Sequence, residues 1–596
     1  MTQNKKAQIT IAHINDTHSH FEPSAIQLTL PEHALTGTQH FSSEGPHGNT
    51  TVYASCGGFA RASTAMKEAR KQAYLKGREF LFVHAGDCFQ GTLYFSLFKG
   101  EANARLLSAV GVEMMALGNH ELDMGNTPVA DFLDQVNFPM LAGNWDLSQE
   151  DQSKRNPLRS KPNLYAYDPE TECARYLVKD VQGEPVAIFG LTIENMDKIA
   201  NPDPDTSFRN VVTVAENTIA ALHGKGINKI ILLSHLGYER DLELAEQVSG
   251  LGVIIGGHTH TMQGDFTNVG YGKKDVYAIQ INGTCVVQAG CNALSMGQIH
   301  LDFAEDGSLE QVSGGNQLLL GRQFTLDATR NEHLDPDCHE AVKRYLKNQS
   351  NINLCAKDPV IEHILNLDYR PAVRERQTNH VADITETLRH VRVPDSRGGS
   401  AIAPLVVESF VWQGRRMGYD VDFGIHNAGG VRTSLNPGPI STADIAGRLL
   451  PFAIGLMLYK VRGIRIREAL EGAIDNAVDN GVEGTGTGSF PYTADLRFTY
   501  RCCAPSGQRI EAIEFRKQGV WQSLVDDVVY TSVSSGYTAT GKEGYQALLD
   551  YEMAPVSLDC TMAEAFEGYA AEQKILSAPR MDLITYIPCE CEQGAA

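Results

Sequence analysis

The chain has 596 residues, 42% of them hydrophobic and 21% charged, which is typical of a globular protein too long for one ordinary core. Its formal net charge is −21, and no stripe rich in Lys and Arg offsets it, which argues against a nucleic-acid-binding protein and against docking on anionic membranes. An acidic protein can still take anionic substrates if metal ions supply the positive charge. We therefore expect two large domains.

The amino terminus has neither the apolar stretch nor the small-residue cleavage site of a signal peptide. The richest apolar run, residues 449–459, is too short for a membrane span and contains Pro451. The 12 cysteines form no CxxC pair, which favours reduced thiols over a disulfide framework. We expect a cytoplasmic monomer or weak oligomer, with a periplasmic or extracellular protein as the alternative if a leader has been removed.

Strands and helices alternate through the first half of the chain. Strands are predicted at residues 7–15, 79–85, 111–117, 185–191, 230–235 and in a run from Gly252, and helices near 57–75, 101–110 and 214–224. The segment from residue 21 to about 55 is rich in Pro, Gly, Ser, Thr and His, and is predicted to be a long loop or insertion. This alternation predicts an α/β domain.

Polar side chains follow the predicted strands at the point where the strands end. They are Asp16 and His18, Asp87, Asn119 and His120, His235, and His258 with His260. Because open α/β sheets place their sites at the carboxyl ends of strands, these side chains are expected to share one cleft. Oxygen ligands mixed with imidazoles suit Mn²⁺, Fe, Zn²⁺ or Mg²⁺, and the absence of cysteine among them argues against a structural zinc.

The order of these blocks resembles a known family. Asp16-x-His18, Gly86-Asp87, Gly118-Asn-His-Glu121, Ser234-His235 and Gly257-His258-x-His260 are similar to the blocks of calcineurin-like metallophosphoesterases, in particular the 5′-nucleotidase and UDP-sugar hydrolase branch. The resemblance implies an α/β fold with a four-layer α/β/β/α metal domain, a linker helix and a carboxyl-terminal α/β nucleotide-binding domain. On this basis the domains are 1–335 and 376–596, joined by a helical linker at 336–375 in which a hinge motion is expected.

The resemblance also implies two divalent metal ions, drawn from Mn, Zn, Mg, Co or Fe. One would be held by Asp16, His18, Asp87 and His260, and the other by Asp87, Asn119, His235 and His258. Asp87 would bridge the two ions and offset part of their repulsion. Related enzymes often carry an amide side chain at the position of His260. Two metals can bind phosphate oxygens, lower the pKa of a water and stabilise an in-line displacement.

His120 follows Asn119 directly, so it is expected to face the same cleft. The resemblance pairs it with Asp123, whose carboxylate would orient and charge the imidazole. A protonated His120 would stabilise the transition-state oxygens or protonate the leaving group. The alternative is that His120 is a further metal ligand. Glu121 has no assigned role.

The second domain carries the blocks that the resemblance assigns to the substrate. Its residues are Asn427, Gly429, Gly430, Arg432, Phe452, Tyr537 and Glu543. The two glycines would let a ligand approach the backbone, and Arg432 offers a planar fork for phosphate or carboxylate. Phe452 and Tyr537 would stack on the two faces of a nucleobase, at roughly 1–3 kcal/mol per base.

Two departures from the family pattern stand in this domain. Glu543 occupies the place of an aspartate. The block near the start of the domain is reduced to Gly399-Ser-Ala-Ile-Ala-Pro-Leu405, so that only Arg397, shifted in position, could replace a family arginine.

These features predict a dinuclear-metal hydrolase that removes phosphate from nucleoside 5′-monophosphates or related nucleotides. A UDP-sugar pyrophosphatase or a 2′,3′-cyclic nucleotide phosphodiesterase would carry the same metal blocks, and a hydrolase of sulfur-linked groups is a further chemistry on this fold. A catalytically silent nucleotide-binding protein is the alternative of a different class. The intact ligand set argues against it. The expected partner is the nucleotide substrate, with neither nucleic acid nor membrane.

Overall fold

The computed structural model describes residues 7–31, 34, 50–327, 332–479, 486–501, 503–579 and 583–587. The chain divides into two compact units. Unit 1 comprises Met1–Phe89, Phe98–Met196 and Pro202–Arg370, and unit 2 comprises Gln90–Leu97, Asp197–Asn201 and Pro371–Ala596. Among the helices of the described ranges, none combines the length and the apolar character that crossing a bilayer would require.

The strands up to residue 370 are β1 (Ala7–Ile14), β2 (Ser24–Leu30), β3 (Thr50–Cys56), β4 (Glu79–His84), β5 (Met114–Ala116), β6 (Met140–Ala142), β7 (Trp145–Asp146), β8 (Leu164–Asp168), β9 (Cys173–Ala174), β10 (Leu177–Val181), β11 (Glu184–Thr192), β12 (Ser207–Phe208), β13 (Lys229–His235), β14 (Val253–Ile255), β15 (Ile279–Ile281), β16 (Thr284–Val287), β17 (Ser295–Phe303), β18 (Leu309–Thr325) and β19 (Ile352–Leu354). The helices up to residue 377 are α1 (Phe59–Leu75), α2 (Leu93–Phe98), α3 (Glu101–Val110), α4 (Asn126–Leu133), α5 (Met196–Ile199), α6 (Val211–Gly224), α7 (Tyr238–Gln247), α8 (Pro336–Lys347), α9 (Pro359–Ile364) and α10 (Arg370–Gln377).

Two sheets pack face to face in unit 1. The larger has 11 strands in the order β2-β3-β18-β17-β1-β4-β5-β6-β8-β9, with β19 paired to β18, and the smaller has 6 in the order β10-β11-β13-β14-β16-β15. Ile11 and Val83 of the larger sheet share one buried apolar cluster with Ile188 and Leu233 of the smaller. Helices α6 and α7 cover the other face of the smaller sheet, and α1 packs against β4 of the larger. The predicted four-layer α/β/β/α arrangement is confirmed.

The strands that precede the predicted ligands run parallel to one another. In the larger sheet β1 pairs with β4 and β4 with β5, and in the smaller sheet β13 pairs with β14, all in parallel. Parallel neighbours end at the same edge of a sheet. The turns after these five strands therefore gather at one end of the two-sheet sandwich, as the sequence pattern predicts.

The segment predicted as a loop or insertion at 21–55 contains two strands, so that prediction is wrong for its two ends. Strands β2 and β3 pair antiparallel, from Ser24 opposite Cys56 to Leu30 opposite Thr50. The inward side chains, such as Leu28 and Val52, are fully buried and alternate with more exposed neighbours. This alternation is a strand signal that the Pro-, Gly- and Ser-rich composition around it obscured. Residues 32–33 and 35–49 of the same segment lie outside the described residues.

The region predicted as a helical linker at 336–375 is not helical throughout. Strand β19 interrupts it between α8 and α9, pairing in parallel with β18. A π-helical turn, Leu365–Tyr369, joins α9 to α10. The boundaries of the linker and of the two domains stay predictions.

Among the cysteines that the structure describes, one departs from the expectation of reduced thiols. Cys503 is disulfide-bonded, whereas Cys56, Cys88, Cys173, Cys285, Cys291, Cys338, Cys355 and Cys560 are free. The spacing of cysteines along the sequence carries no pattern that would have indicated this bond.

Unit 2 also mixes strands and helices. Its strands after residue 371 are β20 (His380–Ile384), β21 (Phe423–Asn427), β22 (Gly438–Ser441), β23 (Gly455–Arg462), β24 (Pro491–Ala494), β25 (Leu496–Tyr500), β26 (Ile510–Lys517), β27 (Val520–Ser523), β28 (Val529–Ser535), β29 (Met553–Thr561), β30 (Ile575–Leu576) and β31 (Ile584–Tyr586). Its helices after residue 377 are α11 (Ile402–Arg416), α12 (Thr442–Asp444), α13 (Gly463–Asp479), α14 (Gly536–Ala539) and α15 (Met562–Gln573). The central sheet has 5 strands in the order β24-β21-β28-β23-β29, flanked by α11, which packs on β21 and α15.

Candidate active site

The first cluster of the predicted ligands comes from the turns after β1 and β14. Donor atoms of Asp16, His18 and His260 lie within 4.8 Å of one another. His18 Nε2 is 3.0 Å from His260 Nε2, and Asp16 Oδ1 is 3.5 Å from His260 Nε2. Asp16 is fully buried, whereas His260 is exposed. Two imidazole nitrogens that face each other at this distance need a proton or a cation between their lone pairs.

The second cluster comes from the turns after β4, β13 and β14. Donor atoms of Asp87, His235 and His258 lie within 4.8 Å of one another, with Asp87 Oδ2 3.2 Å from His235 Nε2. The side-chain oxygen of Asn119 lies 2.9 Å from His258 Nδ1 and 3.3 Å from His235 Nε2. Four side chains from four strand ends thus point at one place.

Asp87 belongs to two of the clusters. Besides its contact with His235, it forms a third group of possible ligands with His18 and His120. The backbone N–H of His120 donates to Asp87 Oδ1 at 2.9 Å. Asp87 is therefore the carboxylate that connects the His18 side of the cleft to the His235 side.

Backbone carbonyls orient two of the imidazoles. His235 Nδ1 lies 2.7 Å from the carbonyl oxygen of Ala85, and His18 Nδ1 lies 3.2 Å from that of Phe89. A carbonyl only accepts, so each Nδ1 carries a proton and Nε2 is the ring nitrogen that faces the cleft. Outer-shell contacts of this kind fix the tautomer of metal-binding histidines.

Backbone strain concentrates in the same turns. A left-handed φ between 44° and 76° occurs at Asp16, His18, Asp87, His258 and His260. Non-glycine residues adopt this conformation rarely, and such residues cluster at functional sites. Gly118 shows how tight the turns are, because a Cβ added there would lie 2.2 Å from Asp87 Oδ1. The left-handed turns direct several side chains of one short segment into the same cleft.

The electrostatics of the clusters favour a bound cation. Burial opposes the charged form of His235, but Asp87 and Asp16 raise its pKa to about 10. The pKa of His260 is likewise about 10 because Asp16 outweighs burial. Burial lowers the pKa of His18 to about 3, so this imidazole is neutral and able to act as a ligand. Buried carboxylates that stabilise positive charge, next to neutral imidazoles, form a donor set that fits divalent metal ions.

His120 and Asp123 form the expected pair. His120 Nδ1 lies 2.7 Å from Asp123 Oδ2, and the Asp123 side chain is 4% exposed. Burial lowers the pKa of His120, but Asp123 and Asp87 outweigh it and raise the pKa to about 9. His120 is then protonated at neutral pH, and its ring stands edge-on to His18 at 5.2 Å between centroids. A charged imidazole beside the metal-ligand clusters can stabilise anionic oxygens or donate a proton.

Glu121 is a part of the site to which sequence reasoning assigned no role. Its fully buried carboxylate accepts four backbone N–H groups, from Asp87, Cys88, Phe89 and Gly118. It thereby ties the turn after β4 to the turn after β5. The sequence around Glu121 is polar and gives no sign that this carboxylate would be buried.

The predicted substrate residues of unit 2 also come together. Asn427 Nδ2 donates to Glu543 Oε2 at 2.9 Å, and the Tyr537 side chain hydrogen-bonds to the same carboxylate. The Arg432 guanidinium lies over the Phe452 ring, 5.4 Å from its centroid. Burial raises the pKa of Glu543 to about 7, although Asn427 and the nearby arginines oppose the shift. The Glu543 carboxylate is thus held in position by hydrogen bonds with Asn427 and Tyr537.

The two glycines differ in what they allow. A Cβ on Gly429 would lie 3.3 Å from the backbone of Gly488, a tight but not forbidden contact. A Cβ on Gly430 would lie 2.1 Å from Nε2 of the buried His426. At Gly430 the absence of a side chain therefore serves the packing of His426. The sequence-based reason, close approach of a ligand, is not needed at this position.

Arg392, rather than Arg397, belongs to this cluster of unit 2. Arg392 lies close enough to Glu543 to oppose the rise of its pKa. Burial lowers the pKa of Arg432, and the nearby charge of Arg392 adds to that decrease. Arg397 is exposed and its backbone N–H binds Asp395. The sequence did not single out Arg392, because the family block near the start of this domain is degraded and marks no position for an arginine.

Comparison with known proteins shows matches to two family models, one in each half of the chain. Residues 9–262 match the family described as calcineurin-like phosphoesterase, and residues 379–550 match the 5′-nucleotidase carboxyl-terminal domain. The chain is 28% identical over 563 residues to a probable 5′-nucleotidase of Treponema pallidum, covering 91% of this chain and 87% of the relative. It is 28% identical over 565 residues to an NAD 5′-nucleotidase of Haemophilus influenzae, covering 91% and 86%.

A solved structure gives the same result for the fold. The crystal structure of a 5′-nucleotidase precursor from Thermus thermophilus matches 98% of this chain and 100% of that chain, with a TM-score of 0.71 and 28% identity. The match extends over both units, each with the architecture that the strand orders above describe. The chain therefore belongs to the 5′-nucleotidase family of calcineurin-like metallophosphoesterases, which are phosphoric ester hydrolases.

Proposed function

We propose that this enzyme removes phosphate from nucleoside 5′-monophosphates or related nucleotides with two divalent metal ions. The observation that carries the proposal is the position of Asp87, which joins the His18 and His120 cluster to the His235 and His258 cluster. A shared carboxylate is what a dinuclear centre requires, since it holds two cations close while offsetting their repulsion.

The proposed ligand sets follow from the two clusters. Asp16, His18, Asp87 and His260 would hold one ion, and Asp87, Asn119, His235 and His258 would hold the other. When bound, the ions would supply positive charge for the phosphate oxygens and activate the attacking water.

His120 would do the proton chemistry of the reaction. With the pKa of its imidazole raised to about 9 and Asp123 fixing Nδ1, its Nε2–H would point to the phosphoryl oxygens or to the leaving group. Donation from a charged imidazole stabilises the developing negative charge, and transfer of the proton lets the nucleoside leave as an alcohol.

The substrate side of the proposal rests on the unit 2 cluster. Phe452 and Tyr537 would hold the base, and Asn427 and Glu543 the nucleoside, with Arg432 facing the phosphate. A dinucleotide is a second candidate substrate, because the Haemophilus relative is named an NAD 5′-nucleotidase. A UDP-sugar and a 2′,3′-cyclic nucleotide would use the same metal ligands.

The test is phosphate release from AMP, UMP and ADP, with chromatographic detection of the products of UDP-glucose, NAD and 2′,3′-cyclic AMP, whose first hydrolysis yields no free phosphate. The enzyme is first treated with a chelator, and Mn²⁺, Mg²⁺, Zn²⁺ or Co²⁺ is then added back. We expect metal-dependent turnover with AMP or UMP among the best substrates. Turnover of none of these compounds with any of the metals would exclude the proposed function.

A further inference from the structure

A second polar pocket lies in unit 1, with none of the metal-site residues in its wall. It has a volume of about 170 Å³ and sits between the end of β3, the start of α1, the end of β18 and the loop before α9. The polar side chains that line it are Arg61, Arg322, Lys357, Ser55, Gln323 and Thr325. Among the described residues no aspartate or glutamate lines this pocket, although the protein carries a net charge of −21.

Arg61 is built into the wall of the pocket. It is 6% exposed, and its guanidinium donates to the carbonyl of Gly57 and to the Ser55 hydroxyl, each at 3.0 Å. A Cβ on Gly321 would lie 2.6 Å from Arg61 Nη2, so this glycine leaves the room that the guanidinium occupies. Because the Ser55 oxygen accepts from Arg61, the hydroxyl proton remains available to an anion in the pocket.

The nearby carboxylates pair with Lys357 but not with Arg322 within the described ranges. Lys357 Nζ lies 3.1 Å from Glu362 Oε1, but Arg370 also binds Glu362, at 2.9 Å, and Glu22, at 2.6 Å. Glu362 and Glu22 therefore balance the charges of Lys357 and Arg370, which leaves Arg322 outside this group. Arg322 has no carboxylate partner within the described ranges and is exposed at the mouth of the pocket. A half-enclosed excess of positive charge attracts anions.

We propose that this pocket binds a small tetrahedral oxyanion, inorganic phosphate in the first instance. A guanidinium offers parallel N–H donors that match the oxygens of phosphate, and charge-assisted hydrogen bonds of this kind are about twice as strong as neutral ones. The volume is below the roughly 300–1,000 Å³ of pockets that enclose larger organic ligands. The ligand is therefore the free ion and not a whole nucleotide.

Bound phosphate would connect elements that are distant in sequence. Arg61 belongs to α1, Ser55 to β3, Arg322 to β18 and Lys357 to the loop before α9. A ligand that binds the folded protein and not the unfolded chain raises the free energy of unfolding by RT ln(1 + L/Kd), where L is the free ligand concentration. Phosphate is accordingly expected to raise the melting temperature of the protein.

The test is calorimetric titration of the full chain with inorganic phosphate after removal of divalent metals, at constant ionic strength. We expect saturable binding to the wild type and to Arg155→Gln, an exposed arginine outside the pocket. Arg322→Gln should weaken this binding by at least about tenfold, the effect of one lost charge-assisted hydrogen bond. Arg322→Lys keeps the charge and should recover most of the affinity. Arg322 is exposed, so neither variant is expected to unfold.

A second pair of variants separates this pocket from the metal centre. Phosphate binding, which Arg322→Gln should weaken, should keep its wild-type affinity in His120→Ala and in Arg432→Gln. If wild-type binding is lost in His120→Ala and kept in Arg322→Gln, phosphate occupies the active site and the proposal is wrong. Absence of any saturable binding to the wild type would equally overturn it.

Discussion

The carboxylate of Glu121 accepts the backbone N–H of Asp87, with 3.0 Å between Oε2 and the nitrogen. The same carboxylate accepts from Gly118 at 2.8 Å through Oε2, and from Cys88 at 2.7 Å and Phe89 at 3.1 Å through Oε1. Asp87 is the shared member of two candidate ligand clusters. Glu121 is therefore placed to position Asp87, the carboxylate that we propose is shared by two metal ions, without reaching the cleft itself.

Replacing Glu121 with glutamine should weaken metal binding and lower kcat together. The amide places an NH₂ donor against backbone N–H donors, so at least one of the two turns must shift and move Asp87. Loss of an outer-shell partner typically costs about 10–100-fold in metal affinity or activity. Metal content by elemental analysis after dialysis, together with kcat, measures the effect. Glu113→Gln is the control, because Glu113 pairs with Arg70 at the surface. Unchanged metal content in Glu121→Gln would show that Glu121 does not position Asp87 for metal binding.

Replacing His120 with alanine should lower kcat by about 10²–10⁴-fold, the range for loss of a general acid, while the metal content stays as in the wild type. Asp123→Asn should act in the same direction, because a carboxamide cannot stabilise the charged imidazole. Loss of one metal equivalent in His120→Ala would instead identify His120 as a ligand.

Replacing Phe452 with alanine should raise KM for nucleotides far more than KM for p-nitrophenyl phosphate. Loss of one stacking face costs roughly 1–3 kcal/mol, which corresponds to an increase of about 5–150-fold. Steady-state kinetics on both substrates gives the comparison. An equal increase in KM for both substrates would show that Phe452 stabilises the fold of its domain and does not stack on the nucleobase.

Arg392 and Arg397 form a matched pair for the substrate site. Arg392→Gln should raise KM for nucleoside monophosphates, because Arg392 adds positive charge next to Arg432 and Glu543. Arg397→Gln should leave KM unchanged, since Arg397 binds Asp395 through its backbone N–H and is not among the groups that affect the pKa of Glu543 or Arg432. Equal effects of the two changes would contradict the assignment of Arg392.

Asp241 predicts a pH dependence of stability. Burial raises its pKa to about 7 from an ordinary value of 3.8, although the Ser234 hydroxyl donates to Oδ1. The other oxygen, Oδ2, is buried without a partner in the described part of the chain. Since the folded-state pKa is raised, the carboxyl contributes stability fully below pH 3.8, and the contribution is lost as pH rises through about 7.

Urea unfolding of the metal-free wild type and of Asp241→Asn at pH 4 and pH 8 measures this effect. The wild type should lose free energy of unfolding relative to the variant between the two pH values, by up to about 4 kcal/mol. The difference between the two proteins removes contributions from other titrating groups. A difference that does not change with pH would show that Asp241 does not titrate in this range.

The sequence by itself determined the order of strands that end in polar residues, and with it the α/β class and the residue types at the candidate centre. Buried strands require apolar runs, so the run before Gly118 and the polar residues after it can be read without a structure. The resemblance added the pairing of His120 with Asp123, whose side chains contact each other in the fold. Such local contacts can be predicted from sequence because residues that are close in the chain also lie close together in the fold.

Only the tertiary structure decided what depends on residues far apart in the chain. Asp16 and His260 are 244 positions apart in numbering, yet Oδ1 and Nε2 lie 3.5 Å from each other. The four N–H groups that Glu121 accepts, the preference for Arg392 over Arg397, and the cationic pocket around Arg61 and Arg322 arise likewise from several elements at once. A sequence shows which side chains can bind a metal ion or donate a hydrogen bond, but the packing of distant segments determines which partners they contact.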